Sequence, residues 1–426
     1  MTGPKTYLVQ IEKPVYGGAS LARIDGKAVF VALTLPGEQA LIRIVEEKRG
    51  YATAEAEEIV APAAERIVPA CRHFGTCGGC NYQHANYETQ VKWKQAILRE
   101  TLERAGVAVP VEIEILSGEP WHYRNRIRLA FDAAGRPGYR GRRSHSIVPI
   151  EECPIAAPSL VRAARAFGDT IRSTTPQLRP TELSLFCNAD ESAMLASVVV
   201  ARSIKIRFDD LAQAWKAHVP ALAGAEIVVH GRDGNQPRSI DGWGTNSLTY
   251  RAAGFDYRVD RGSFFQVNRW LVDALVERVA AHRSGKLAWD LFAGVGLFAR
   301  KLAAHFERVV AVESAVPSIG ALLENLKGTS AEAVQAEALS FLRRQNGPRP
   351  DLIVLDPPRT GLGTETAAQL TRIAPTSIVY VSCDPATLAR DLRALSGSTY
   401  VIQSIALIDL FPQTFHLETV VELRRS

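Results

Sequence analysis

Alternation of apolar and polar positions dominates the first 60 residues. Tyr7-Leu-Val-Gln-Ile11 alternates, Gly17-Gly18 breaks the pattern, and Leu21–Ile24 runs into an Asp25-Gly26 hairpin signal. Lys27–Val31 leads to Pro36-Gly37, and Ala40–Val45 and Tyr51–Ile59 follow. About five short strands here predict a small OB-like barrel, a shape that often binds RNA. A barrel used only for packing is the alternative. Ala61-Pro-Ala-Ala64 reads as a linker. Between Tyr87 and Ala105, Val91, Ala96, Ile97, Leu98 and Leu102 recur among Lys and Glu, the spacing of a helix. Val111 to Tyr257 is mixed and strand-rich, interrupted by glycine-containing turns such as Gly231-Arg-Asp-Gly-Asn235.

The pattern changes near residue 260. A helical stretch, Trp270–Arg283, precedes an apolar run ending in Asp290-Leu-Phe-Ala-Gly-Val-Gly296. The strands Val309–Glu313, Leu352–Asp356 and Ile378–Cys383 follow with helical segments between them. That order predicts a doubly wound α/β sheet, whose ligands bind beyond the carboxyl ends of the strands. The polar residues ending these strands are therefore the candidates for chemistry.

At 426 residues the chain suggests about three domains. With 46% apolar and 22% charged residues it has ample core. No run approaches the roughly 18 apolar residues of a membrane helix. The opening Met1-Thr-Gly-Pro-Lys-Thr6 lacks the pattern of a signal peptide, so a cytoplasmic protein is expected. Six cysteines are too few for a disulfide scaffold. Net charge is only +5, yet arginine outnumbers lysine 39 to 11, and arginine binds phosphate bidentately. A polyanionic partner and a GC-rich coding sequence both account for that bias.

Gly294-Val-Gly296, between a strand and a helix, lets backbone approach a ligand and points helix amides at it. Glu313, closing the next strand, suits ribose hydroxyls. NAD fits as well as S-adenosylmethionine on these residues, but the missing third glycine leans away from a dinucleotide. Glu337 is a candidate on the adenine side.

Asp356-Pro-Pro-Arg359 and Ser382-Cys383-Asp384-Pro385 end consecutive strands and should lie side by side. Cys383, near a helix start, is expected to favour thiolate. A thiolate can add to C6 of a pyrimidine and make C5 nucleophilic enough to accept a methyl group. A base must then remove the C5 proton. Glu418, in Asp409-Leu-Phe-Pro-Gln-Thr-Phe-His-Leu-Glu418, is the available carboxylate. Taken singly, Cys383 would more often be a core cysteine.

These segments, together with Phe264-Phe-Gln266-Val-Asn268 and Thr387-x-x-Arg390-Asp391, resemble the RNA (uracil-5-)-methyltransferase family in order. The likeness is nearest to bacterial 23S rRNA (uracil-5-)-methyltransferases with a TRAM domain and an iron–sulfur cluster. The resemblance implies Cys383 as nucleophile, Glu418 as base, and Gln266, Phe292, Glu313 and Asp356 at S-adenosylmethionine. Two positions depart from the family pattern: Asp384, where asparagine is usual, and Leu297, where many members have asparagine.

Cys71, Cys77, Cys80 and Cys153 supply four thiolates. A zinc ribbon usually shows two short knuckles, and here there is one, which favours a [4Fe–4S] cluster. The resemblance implies the same four ligands. Seven arginines lie between Trp121 and His145, opposed only by Asp132. Of these, Arg124, Arg126 and Arg128 share one face of an alternating strand, and Arg140, Arg142 and Arg143 follow. Interleaved rings at Trp121, His122, Tyr123, Phe131 and Tyr139 suit stacking on unpaired bases. A merely solvated charged face is the plainer reading.

The expectation is thus a Rossmann-like methyltransferase domain (87–111 and 259–426), an N-terminal TRAM barrel (1–62) and an α+β iron–sulfur lobe (63–86 and 112–258). The expected partner is RNA, with 23S rRNA favoured over a tRNA T-loop, and a monomer that does not engage membranes. A cytosine-C5 methyltransferase and a non-catalytic RNA-binding iron–sulfur protein are the rivals.

Overall fold

The computed structural model describes residues 6–202, 204, 206–229, 238–396 and 399–426, so the Gly231–Asn235 turn lies outside the described residues. Two compact units divide the chain. The first holds Met1–Glu100, Arg140–Val148 and Phe411–His416; the second holds Thr101–Tyr139, Pro149–Leu410 and Leu417–Ser426.

In the first unit, one sheet takes the order Thr6–Gln10, Gln39–Glu47, Tyr51–Ala61, Lys27–Ala32, Ala19–Ile24, Lys13–Pro14. Asp25 (φ 49°) and Gly26 (φ 80°) make the predicted hairpin turn between Ala19–Ile24 and Lys27–Ala32. Val9, Ile11, Val29, Val31, Ile42 and Ala54 bury one face of each strand as a single core. The Ala61–Ala64 segment is tied down, unlike a free linker. The buried Glu38 carboxylate accepts Leu35 N (2.8 Å), Ala63 N (3.3 Å), Arg66 Nε (2.5 Å) and Arg66 Nη2 (2.8 Å). Burial pushes the Glu38 carboxyl up, but Arg66 and the two amides outweigh it and hold it below its ordinary value.

The predicted helix is present as Tyr87–Arg104. Its Gln90 and Lys94 are buried. Lys94 Nζ donates to Phe411 O (2.8 Å), and Gln90 exchanges hydrogen bonds with Gln413 (2.9 and 3.0 Å). The helix thereby fastens the segment Phe411–His416.

Among the described residues, and besides the two-stranded ladder of Ser247–Ala252 with Phe255–Asp260, the second unit contains two sheets. One runs Arg126–Phe131, Pro180–Cys187, Met194–Val200, Leu222–Val229, Arg238–Gly244, with helices Pro158–Thr174 and Phe208–His218 sharing its core through Phe167 and Trp215. The other is the doubly wound sheet read from the sequence. Its order is Ala331–Gln335, Phe306–Glu313, Gly285–Leu291, Leu352–Leu355, Ser377–Ser382, Glu418–Arg425, Tyr400–Ile408, Glu114–Leu116. The first five strands are parallel, and Glu418–Arg425 is antiparallel to Ser377–Ser382. Continuous apolar runs such as Leu352-Ile-Val-Leu355 are wholly buried because helices cover both faces. The strand order reverses between Gly285–Leu291 and Leu352–Leu355, which opens a crevice beyond their carboxyl ends. Among the described residues no helix is long and apolar enough to cross a membrane.

Candidate active site

The crevice is built from the loop after Gly285–Leu291. Phe292 (φ 67°), Gly294 (φ 57°) and Gly296 (φ 87°) all take left-handed backbone, so the chain turns sharply over the sheet. A Cβ at Gly296 would sit 2.8 Å from Leu322 Cδ1, the end of a flexible side chain that can yield, so the torsion is what calls for glycine. Buried Asp290 steadies the following helix by accepting Ala299 N (2.8 Å) through Oδ2, whereas its Oδ1 has no hydrogen-bond partner. Glu313 braces the loop, taking Gly294 N on Oε2 (2.7 Å) and Ser314 N and Ala315 N on Oε1 (2.7 and 2.6 Å). A carboxylate oxygen can accept twice, so Oε2 retains a lone pair for a ligand hydroxyl. Glu337 is exposed at the start of helix Ala338–Arg343.

Gln266 is buried, and its Nε2 lies 3.5 Å from Asp356 Oδ2. Two asparagines hold its loop: Asn268, which closes the Phe264–Asn268 motif but carried no role there, and Asn125, which sequence reading missed. Asn125 Nδ2 donates to Gln266 O (2.9 Å), and Asn268 accepts Trp270 N and Leu271 N (2.9 and 3.1 Å) while donating to Leu410 O (3.1 Å). Asn125 was hidden inside an arginine-rich run, where its charged neighbours drew the attention.

The reacting pair follows from strand register. Ser382 lies opposite Thr419 in the antiparallel ladder. Cys383 and Glu418 follow that pair at the end of the ladder, and the Glu418 charge acts on the thiol. Asp356 and Arg359 complete the group, and both act on Cys383 and Glu418. The thiol departs from expectation. Burial first, then the Glu418 and Asp356 charges, push Cys383 up to about 11, and a hydrogen bond from Arg359 only partly offsets them. The nearby helix Pro385–Ser396 cannot lower it. Its leading amides, Ala386 N (3.0 Å) and Thr387 N (2.9 Å), already donate to Asp384 Oδ1.

Burial also pushes the other carboxyls up: Asp356 to about 7, Asp290 to about 8 with Asp356 and Glu313 adding to it, and Glu418 well above its ordinary value. Strong carboxylate shifts clustered in one crevice are the mark of a chemical site.

Asp391 fixes the Asp356–Leu362 loop. Its buried carboxylate accepts Leu362 N (2.7 Å), Tyr380 Oη (2.8 Å) and Arg390 Nε (2.9 Å), and Arg390 Nη2 reaches Thr360 O (2.8 Å). The Arg390-Asp391 pair is thus scaffolding for Asp356 and Arg359.

The arginines divide. Arg126 leaves the expected exposed face: its guanidinium is buried 4.4 Å from the centre of the Phe186 ring and donates to Ser263 O (2.8 Å), beside Phe264. Core contacts at Ile127 and Leu129 turn that strand so only Arg128 is well exposed, where it meets Glu182 (3.1 Å). Arg124 is half-buried, bridging backbone to Ala156 and Asn268. In the first unit Arg140 is exposed, Arg142 grips Glu55 with both guanidinium nitrogens, and Arg143 pairs with the same carboxylate (3.0 Å).

Cys71, Cys77 and Cys80 lie in a turn-rich loop of the first unit and Cys153 in the second; all four are half-buried. Among the described residues no three His, Cys, Asp or Glu side chains come together as a metal site. Four thiols suit a soft iron–sulfur centre, and Gly79 N already donates to Cys77 Sγ (3.4 Å), the bond that tunes cluster thiolates.

Residues 86–343 and 349–426 match the family described as tRNA (Uracil-5-)-methyltransferase, and residues 4–56 match the TRAM domain. An uncharacterized RNA methyltransferase of Thermotoga maritima is 30% identical, over 97% of this chain and 98% of its own. The 23S rRNA (uracil(1939)-C(5))-methyltransferase RlmD of Halomonas elongata is 32% identical, over 97% of this chain and 88% of its own. The Pyrococcus abyssi tRNA (uracil-54, C5)-methyltransferase, solved with S-adenosyl-L-homocysteine, superposes with a TM-score of 0.79 at 24% identity, covering 98% of this chain and all of its own.

Proposed function

The chain belongs to the tRNA (uracil-5-)-methyltransferase family, and from that premise we propose that it methylates C5 of a uridine in 23S rRNA through a covalent Cys383 adduct. Methylation of RNA at uracil C5 from S-adenosylmethionine is the family's reaction. The narrower choice of 23S rRNA is supported by the name of the Halomonas relative. The tRNA reading has the family's own description and the Pyrococcus likeness, which at 24% identity speaks for the fold.

One observation supports the mechanism: Ser382 pairs with Thr419, so Cys383 and Glu418 follow at the end of that ladder, and the Glu418 charge acts on the thiol. Sγ attacks C6, C5 takes the methyl, and Glu418 removes the C5 proton so that the C6–Sγ bond can break. Phe292–Gly296, Glu313, Gln266 and Asp356 would hold the donor, with Glu337 on its adenine side. Asp356 and Arg359 face the base. The target must leave any stack to reach a half-buried thiol, so it is flipped. Arg124 and Arg128 of the second unit, and Arg140 and Arg143 of the first, would carry RNA phosphates, while Arg126 and Arg142 are held by contacts within their own units. The family resemblance assigns a [4Fe–4S] cluster to Cys71, Cys77, Cys80 and Cys153, and its role would be structural. The three domains of the sequence reading and a monomer in the cytoplasm complete the proposal.

The test uses 5-fluorouridine-substituted RNA, since fluorine cannot leave C5 as a proton. A covalent band with 23S fragments and S-adenosylmethionine, lost in Cys383→Ala, is expected. A band with tRNA alone would move the substrate to tRNA. No band with either RNA, from protein that binds the donor, would overturn the uracil assignment.

A further inference from the structure

We propose that the positive charge of the bound methyl donor ionises the carboxyl pair formed by half-buried Asp356 and buried Glu418 at the strand ends, and that its loss on methyl transfer restores to Glu418 the proton affinity it needs to take the C5 proton. This rests on the reading of S-adenosylmethionine binding at the strand ends.

The geometry follows from the chemistry. C5 and C6 are bonded neighbours, and the attacking and donating atoms must each approach to roughly 3–3.5 Å. With Cys383 reaching C6 and Glu418 the C5 proton, a donor bound at the strand ends would bring its sulfonium against the same few side chains. Those are acidic. Asp356 and Arg359 follow strand Leu352–Leu355, and Cys383 follows Ser377–Ser382. Asp290 lies in Gly285–Leu291 and Glu313 ends Phe306–Glu313. On the far side of Glu418, Ile408 is its ladder partner, with buried Asp409 following it. Gln266 adds a neutral contact. Arg359 is thus the one cation among these named groups.

Without donor, burial keeps protons on the carboxyls, as their raised values show. A sulfonium beside them reverses that balance, and a proton leaves for water. In the reaction the Cys383 thiol gives its proton to water and Sγ bonds to C6. The C5=C6 pair bonds to the methyl carbon, and the methyl–sulfur pair returns to sulfur, which becomes an uncharged thioether. The positive charge has now gone, and Glu418, again favouring its neutral form, takes the C5 proton. The C5–H pair restores C5=C6, the C6–Sγ pair returns to Sγ, and Glu418 can reprotonate the opposed thiolate. One proton is released per methyl, as the overall reaction requires.

Titration calorimetry of the full chain in two buffers of different ionisation enthalpy tests this, using S-adenosylmethionine, its amine isostere sinefungin and uncharged S-adenosylhomocysteine. At pH 7 the two cationic ligands should release a substantial fraction of a proton and S-adenosylhomocysteine almost none. Below about pH 7 affinity for the cationic ligands should fall toward tenfold per pH unit, with the uncharged product nearly flat. Glu418→Gln and Asp356→Asn should each shrink the difference. Equal proton release by all three ligands would overturn the inference while leaving donor binding intact. Failure of all three to bind would instead overturn the donor reading beneath it.

Discussion

Asp391→Asn isolates the loop that presents Asp356 and Arg359. Asp391 is 2% exposed, and its two oxygens serve different partners: Oδ2 takes Leu362 N and Tyr380 Oη, and Oδ1 takes Arg390 Nε. An asparagine can satisfy only one side. If its oxygen stays with Leu362 and Tyr380, its amide group faces a guanidinium donor; if it flips, two donors are orphaned. A hydrogen bond to a charged group contributes about 1.5–3 kcal/mol, and an orphaned buried donor costs about 1–3 kcal/mol. Arg390 is 49% exposed, so its share is screened and small. We therefore expect a loss of about 2–3 kcal/mol, seen as a lower urea midpoint. The loop should also shift, and a 1 Å displacement at a reacting group costs on the order of 100-fold in rate. Single-turnover methylation should fall by that order, with donor Kd changed only a few-fold and apparent KM for RNA little altered. Tyr380→Phe, which removes one bond, should lose about 1 kcal/mol and less than tenfold in rate. A variant destabilised as expected, yet within threefold of wild-type turnover, would refute the positioning role. Unchanged stability would refute the energetics.

Three further outcomes are expected. Because burial pushes Cys383 up to about 11, adduct formation with fluorouridine RNA should accelerate with pH, approaching tenfold per pH unit from 6.5 to 9; a plateau by pH 7.5 would refute it. Gly296→Ala must adopt φ 87° and press on Leu322, so it should lose about 1–3 kcal/mol and weaken donor binding at least tenfold, read by calorimetry. Glu38 is held below its ordinary value of 4.5, so its contribution to stability is present above that pH and is lost as pH falls through the lower folded value; Glu38→Gln should cost about 3 kcal/mol at pH 7 in urea unfolding and remove that acid sensitivity.

Much of this site was legible because chemistry sits where strands end, and strand ends are marked by abrupt polarity. Asp290, Glu313, Asp356 and Cys383 each close an apolar run, and the hairpin at Asp25-Gly26 is a local signal of the same kind. What was illegible depends on partners distant in sequence. Glu38 turns an Ala-Pro segment from linker into a fixed strap because Arg66 lies 28 residues on. Gln90 and Lys94 look like ordinary polar helix positions, yet they are buried to fasten a segment more than 300 residues away. Arg126 alternates with Arg124 and Arg128 as a surface residue would, but Phe186 and Ser263 draw it inward. The thiol was misjudged for a local reason with a nonlocal cause: a nearby helix start argues for thiolate only if its amides are unclaimed and no carboxylate arrives from another strand.

The two departures from the family pattern can now be weighed by what each position does. Asp384 caps the helix Pro385–Ser396 through Oδ1, which accepts Ala386 N and Thr387 N. Asparagine presents the same oxygen in the same place, and the two residues are about equal as caps. The substitution therefore preserves the turn that aims Cys383. It adds a negative charge one residue from a thiol already burdened by Glu418 and Asp356, so Asp384→Asn should ease thiol ionisation and raise the rate of adduct formation. Leu297 is buried at the start of its helix, and its carbonyl accepts Tyr257 Oη (3.0 Å), a contact that any side chain permits. A leucine there commits the position to the core behind the cofactor loop. On the donor reading proposed above, recognition would fall more heavily on Glu313 and Gln266, and alanine at either should cost this enzyme more affinity than in a relative with asparagine at that position.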